Sequence, residues 1–307
     1  MKQTTPKHTR SFTYTRSYQP SSNVAGRRLP LPARPARRWP LVRFFSGVVV
    51  VCLIVASAIF LPHVLARPKP TPSPVLSPIL AKNLTTIITQ HSSYKIGVAL
   101  EDISSDTTQT FGATTPFVAA STSKVLVACA YYHLVETGQA TLTDMLGAYP
   151  AQFQLKEMVN DSSNDSWHLL TAAIGDDKLQ SYAQSIGIPY DETTNSLTPQ
   201  AMATLLAKLY KGTLLNQADT AQLLNYMQQT NDEELIPAAL PQDVTVYHKY
   251  GELNSELHDA AIIVYGHKAY SLVIYTENNT TNGSIDTRPD LIHQLTHSIV
   301  AVLFPAA

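Results

Sequence analysis

Two kinds of hydrophobic patterning divide the chain. Residues 44–61 (FFSGVVVVCLIVASAIFL) form one apolar run relieved only by two serines and a glycine, and no Asp, Glu, Lys or Arg stands between Arg43 and Arg67. As a helix this run rises about 27 Å, close to the roughly 30 Å hydrocarbon core of a bilayer. Beyond residue 80 the periods are shorter. Residues 94–101 (YKIGVALE) alternate and are rich in β-branched side chains, which predicts a strand, with 107–112 as its hairpin partner across a turn at Asp106. Residues 121–136 (STSKVLVACAYYHLVE) are apolar nearly all round and stop before Gly138, the pattern of a buried helix with a glycine cap. Helical periods follow at 155–160, 166–174, 177–186, 199–210 and 217–229, the fourth opened by Thr198 as N-cap and Pro199 as first helical residue. Strand-like runs return at 244–250, 260–265 and 270–277, and 286–303 reads as a terminal amphipathic helix. Strands at both ends with helices between them predict an α+β fold, an antiparallel sheet formed from both chain ends plus a helical lobe.

Charge sharpens the division. Residues 1–69 hold 12 of the 22 Lys and Arg and none of the 23 Asp and Glu, so a basic arm precedes a domain of strongly negative formal charge. The positive-inside rule then places 1–43 in the cytoplasm and the remainder outside, a single-pass type II topology in the cell membrane with residues 44–66 spanning the lipid bilayer. A cleaved leader ending at Val64-Leu65-Ala66 is the rival, but 43 preceding residues and so long an apolar run favour an uncleaved anchor. Residues 67–80 (RPKPTPSPVLSPIL) carry five prolines and predict an extended linker, leaving 81–307 as the extracytoplasmic domain. The arm is rich in Pro and Ser and poor in aromatics, which points to a disordered, topology-setting segment and away from a nucleic-acid partner.

With 44% hydrophobic and 15% charged residues in 307, the composition excludes a collagen, a coiled coil and a wholly disordered chain. Cys52 falls in the span and Cys129 in the outer domain, so no disulfide framework exists, and the histidines lack the HExxH or His-x-His spacing of a zinc site. No cofactor or metal is expected.

Three short patterns occur in order: Ser121-Thr122-Ser123-Lys124 at the start of the buried helix, Ser162-Ser163-Asn164 in a turn-rich loop, and Lys249-Tyr250-Gly251 on a strand. Positions i and i+3 of a helix share a face, which brings a hydroxyl and an amine together. A desolvated amine beside another cation loses its proton more readily and can activate a serine. Each pattern alone also fits a capped helix with a solvated lysine, a loop, or an edge-strand charge.

Together they resemble the serine β-lactamase and penicillin-binding-protein superfamily, most closely its class A β-lactamase branch, which carries Ser-x-x-Lys, Ser-x-Asn and Lys-Thr/Ser-Gly. The likeness extends over nearly all of 81–307, through Thr198-Pro199-Gln200-Ala201-Met202-Ala203 and Leu235-Ile236-Pro237-Ala238-Ala239-Leu240-Pro241. It implies Ser121 as the acylated nucleophile, Lys124 as its base, Ser162 as proton relay tuned by Lys249, and Asn164 as a substrate amide contact. It also implies an oxyanion hole from the backbone N–H groups of Ser121 and Glu252, with Tyr250, Gly251 and His258 completing the substrate side. The substrate implied is a β-lactam or the D-Ala-D-Ala end of a peptidoglycan stem peptide.

Two departures qualify that picture. The Glu-x-x-Leu-Asn setting that supplies the deacylating base in class A enzymes is missing between Ile186 and Pro199, with Glu192 as the substitute weighed for it. Tyr250 replaces the usual Thr or Ser, and Arg288 is the only arginine after Arg67, leaving His258 as the candidate carboxylate contact. Slow deacylation is the expectation. The alternative is a non-catalytic cell-wall-binding or sensor module that retains the fold.

Overall fold

The computed structural model describes residues 77–278 and 286–305. The predicted arm at 1–43, the span at 44–66 and the linker up to residue 76 lie outside the described residues. Among the described residues, no helix is long and apolar enough to cross a membrane.

The first helix, α1 (Pro78–Gln90), was not legible in the sequence. It begins inside the predicted linker, because Pro78 occupies a first-turn position where its missing N–H costs nothing, and Leu80 and Leu84 are buried one turn apart. Residues 78–80 thus belong to the domain, a correction to the 67–80 boundary.

Strands β1 (Tyr94–Asp102) and β2 (Thr107–Gly112) form the expected hairpin, with Asp106 turning at φ +54°. From the far end of the chain come β7 (Thr245–Leu253), β8 (Glu256–Tyr265) and β9 (Lys268–Asn278). All five make one antiparallel sheet in the order β2-β1-β9-β8-β7, and β1 pairs β9 with Val98 opposite Ile274. Alternation sends Val98, Leu272 and Ile274 to a cluster with Leu80, Leu84, Leu291 and Leu295, covered by α1 and α8 (Arg288–Leu303). It sends Ala99, Ala260, Ile262, Val273 and Tyr275 to the other face, against the helical lobe.

The lobe centres on α2 (Lys124–Glu136), whose residues are buried nearly all round. The predicted helix at 121–136 starts as a 3-10 turn, Ala120–Ser123, and becomes α-helical at Lys124. Around it stand α3 (Ala151–Val159), α4 (Asn164–Ile174), α5 (Asp176–Ser185), α6 (Pro199–Tyr210) and α7 (Gln217–Tyr226). Thr198 caps α6 as expected, its side chain accepting from the Ala201 N–H. The helix expected over 217–229 ends at Tyr226, and Gln229 follows at φ +49°. Two short ribbons escaped sequence reading. One, β3 (Phe117–Val118) with β6 (Ser196–Leu197), ties the approach to Ser121 to the loop before α6. The other is β4 (Met145–Leu146) with β5 (Tyr149–Pro150).

Candidate active site

The site grows from the tight turn between β3 and α2. Ala120 takes φ +49°, a left-handed conformation that costs a residue with a β-carbon about 1 kcal/mol or more, and this turn delivers Ser121 to the surface while Thr122, Ser123 and Lys124 are buried. Thr122 anchors the turn from below, donating to the Ala119 carbonyl at 2.7 Å and bonding the Tyr275 hydroxyl at 2.6 Å.

Lys124 is 2% exposed. Its ammonium nitrogen donates to the Ser162 carbonyl at 2.6 Å and to Asn164 Oδ1 at 2.8 Å, and lies 3.4 Å from Ser162 Oγ. Burial lowers its pKa from 10.5 to about 8. Ser162 itself sits at φ +58°, immediately before α4, whose N-cap Ser163 accepts from the Ser166 N–H. The first two sequence patterns therefore meet through one amine.

The third arrives on β7. A β-carbon on Gly251 would stand 3.0 Å from the backbone nitrogens of both Ser121 and Thr122, so glycine lets this strand lie closer against the Ser121 turn than a larger residue could without a local shift. Glu252 follows at the cleft wall. Lys249 is fully buried, donates to the Tyr250 carbonyl at 3.0 Å and holds its ammonium 4.0 Å from the Tyr250 ring centre. Burial and then the charge of Lys124 lower its pKa to about 7.

Two expected substrate contacts, Tyr250 and His258, are not among the residues that line the cleft. The Tyr250 ring packs against the cluster beneath α8 and faces the Lys249 ammonium. His258 is fully buried: Nδ1 accepts from the Thr276 N–H at 3.1 Å, Nε2 donates to the Val118 carbonyl at 2.8 Å, and the ring stacks on Tyr275 at 4.2 Å. Its Nε2 also lies 3.3 Å from Oε2 of the buried Glu256, so the ring joins the sheet to β3, is enclosed on both nitrogens, and stays off the cleft wall. Glu192 is not among the residues that line the cleft either. Its N–H donates to Gln180 Oε1, and burial with the neighbouring Asp176 and Asp191 raises its carboxyl pKa.

The loop presents Asn195 to the cleft instead, a residue the sequence patterns did not single out. Its Nδ2 donates to the Ala120 carbonyl at 3.1 Å, its Oδ1 accepts from the Tyr190 hydroxyl at 3.1 Å, and its backbone carbonyl accepts from the Ala119 N–H at 2.7 Å. Trp167, His168 and Leu253 complete a cleft of about 200 Å³ with Ser121, Lys124, Asn164 and Glu252. A second unforeseen feature is His248, fully buried, with Nδ1 3.0 Å from Asp259 and Nε2 3.1 Å from Glu233 and 3.0 Å from Thr230. Its flanking positions gave no chemical pattern, since its partners lie elsewhere in sequence.

A partly exposed serine, a desolvated lysine one helical turn on, and a second hydroxyl beside that lysine stand together, with no metal cluster among the described residues. The model of a family described as "Beta-lactamase enzyme family" matches residues 79–303. Among solved structures, the chain is similar to PBP-A, with TM-score 0.65 and 22% identity over 72% of this chain and 94% of that one. A PBP-A mutant solved as an acyl-enzyme complex with penicillin G aligns at TM-score 0.64 and 21% identity, over the same shares of 72% and 94%. A variant of the class A β-lactamase of the last common ancestor of Gram-negative bacteria aligns at TM-score 0.67 and 22% identity, over 74% of this chain and all of that one. Among curated proteins, none matches the chain. A family match across the described domain, on a fold shared with both penicillin-binding and β-lactamase structures, makes this chain a member of the β-lactamase enzyme family and a serine hydrolase of the β-lactamase type.

Proposed function

We propose that the protein forms an acyl-enzyme on Ser121 with β-lactams or D-Ala-D-Ala cell-wall peptides, releases it slowly, and works outside the cytoplasm on an anchor through 44–66. The observation that carries this is the position of the Lys124 amine between Ser162 and Asn164, one helical turn from Ser121 and depressed to about 8 by burial. A lysine in that state spends a useful fraction of its time neutral at physiological pH.

In the proposed reaction Ser121 Oγ attacks the carbonyl carbon while its proton passes to Lys124 Nζ. Backbone N–H groups of Ser121 and Glu252 receive the developing oxyanion, as the approach of Gly251 to that turn favours. The carbon–nitrogen bond then breaks, the leaving nitrogen takes a proton from Ser162, and Lys124 returns one to Ser162. Hydrolysis of the ester needs a base to activate water. The loop offers the cleft Asn195, and a carboxamide accepts no proton at neutral pH, which favours a long-lived ester.

Intact mass of the full chain incubated with benzylpenicillin, beside a Ser121→Ala variant, tests the reading. A persistent adduct on the parent alone is expected. Rapid penicillin consumption without a lasting adduct would overturn slow release, and no adduct with no consumption would favour a non-catalytic cell-wall module. The anchor is tested by alkaline extraction of membranes from cells making the full chain, where release into the soluble fraction would overturn it.

A further inference from the structure

We infer that Asn231, on a loop outside the three sequence patterns, positions Ser162 for proton delivery to the leaving group. The inference rests on the acyl-enzyme reading above and adds to it the residue that holds the relay turn.

Ser162 stands at φ +58°, a left-handed conformation that a residue with a β-carbon keeps only under outside restraint. The restraint is visible in three consecutive carbonyls. The Asn160 carbonyl accepts the Asn231 N–H at 3.2 Å, the Asp161 carbonyl accepts the Asn231 side-chain amide at 3.0 Å, and the Ser162 carbonyl accepts the Lys124 ammonium at 2.6 Å. Asn231 and Lys124 thus grip adjoining peptide groups of one turn. Asn160 returns the contact: its Nδ2 donates to the Tyr226 and Gln228 carbonyls at 3.0 Å each and to the Gln229 carbonyl at 3.3 Å, in the stretch leading to Asn231. Two asparagines therefore cross-link the relay turn and the loop after α7 in both directions.

That loop is in turn fixed to β7 beside Lys249. The His248 N–H donates to the Met227 carbonyl at 2.8 Å, and His248 Nε2 lies 3.0 Å from Thr230 Oγ1 and 3.1 Å from Glu233. The turn bearing Ser162 is thereby tied directly to Lys124 and, through Asn231, to the strand that carries Lys249. Asn231 acts through the backbone of this turn, which makes it a positioning residue.

A misplaced relay slows the reaction most where the leaving atom needs its proton. Cleavage of a β-lactam carbon–nitrogen bond leaves a nitrogen that takes the Ser162 proton while Lys124 returns one to Ser162, whereas a thioester expels a thiolate that departs unprotonated. Loss of Asn231 should therefore separate the two kinds of donor, which a general loosening of the fold would not.

The test compares benzylpenicillin with the thioester hippuryl thioglycolate on the full-length parent, Asn231→Ala and Asn231→Asp. Asn231 is exposed, so both variants should fold, as thermal unfolding checks. Acylation of Ser121 is read by intact mass for the penicillin and by the burst of released thiol for the thioester. Asn231→Ala is expected to acylate about 30-fold more slowly with benzylpenicillin and to stay within about threefold of the parent with the thioester. The near-isosteric Asn231→Asp, which offers the Asp161 carbonyl no N–H, should do the same. Equal slowing with both donors, or parent-like penicillin acylation in Asn231→Asp, would overturn the inference alone. Failure of both donors to acylate the parent would remove the acyl-enzyme reading and the inference with it.

Discussion

The side-chain nitrogen of Asn195 lies 3.1 Å from the carbonyl oxygen of Ala120, the residue whose φ of +49° turns the chain into Ser121. Asn195 also receives the Ala119 N–H on its backbone carbonyl and the Tyr190 hydroxyl on its side chain, and is itself left-handed at φ +47°. Two strained residues thus hold each other, and strain of this kind persists only where the surroundings over-determine it.

Replacing Asn195 with Ala should release the turn. The loss of one net hydrogen bond per partner predicts a destabilisation of about 1–2 kcal/mol and an acylation rate roughly tenfold lower. Asn195→Asp should be worse than Asn195→Ala, since a carboxylate would face the Ala120 carbonyl oxygen. Adduct formation by mass and thermal unfolding of the same samples check both; an Asp variant that acylates faster than the Ala variant would remove the clamp from the account.

The lysine pair predicts the pH dependence. In the proposed reaction Lys124 must be neutral to take the Ser121 proton, and burial lowers its pKa to about 8, while burial and the charge of Lys124 lower that of Lys249 to about 7. The acylation rate should therefore climb with pH and level off above about 8. Lys124→Arg should abolish acylation across that range, because a guanidinium stays protonated. A rate that falls as pH rises through 8 would assign the base elsewhere.

Gly251→Ala isolates the strand's contribution. The new methyl would stand 3.0 Å from the Ser121 and Thr122 nitrogens, backbone atoms that cannot swing away as a side chain does, so β7 and the Ser121 turn should part by a few tenths of an ångström. The fold should survive, since Gly251 is near the end of the strand, while acylation falls by about 10²-fold as the oxyanion donors separate. Unchanged acylation kinetics in this variant would show that the strand does not build the oxyanion site.

Much of the domain could be read from the chain because its signals are local. Alternation at 94–101 and the all-round apolar face after Lys124 each come from residues close in sequence, and they fixed both the sheet and the buried helix. Lys124, Ser162 and Asn164 meet, which the resemblance and not their spacing implied, and only the one-turn separation of Ser121 and Lys124 could be read from local spacing. What escaped depends on tertiary neighbours. Pro78 opens a helix only because Leu80 and Leu84 find the sheet. His258 has the residue type of a carboxylate contact, yet the packing of Phe117, Tyr275 and the Thr276 N–H turns it inward. Asn195 reaches the nucleophile turn only through a loop whose path no local pattern encodes.

His248 is the clearest product of such distant packing, and it carries a stability prediction with a defined sign. Burial alone would lower its pKa, but the charge and hydrogen bonds of Asp259, joined by Glu233, outweigh this and raise it to about 9. A histidine whose folded pKa lies above its ordinary value of about 6.5 contributes stability fully below that value, and the contribution fades as pH rises through about 9. Because the buried lysines act in the opposite direction, gaining stability as pH rises, the measurement must be a difference. The melting temperature of the parent minus that of His248→Gln should be largest near about pH 6 and shrink toward about pH 9. A difference independent of pH would mean that the imidazole is neutral between its two carboxylates. Asp259 also raises the pKa of Lys249 on the neighbouring register position of β7, so loss of the His248 contact should shift the acylation profile as well as the melting curve.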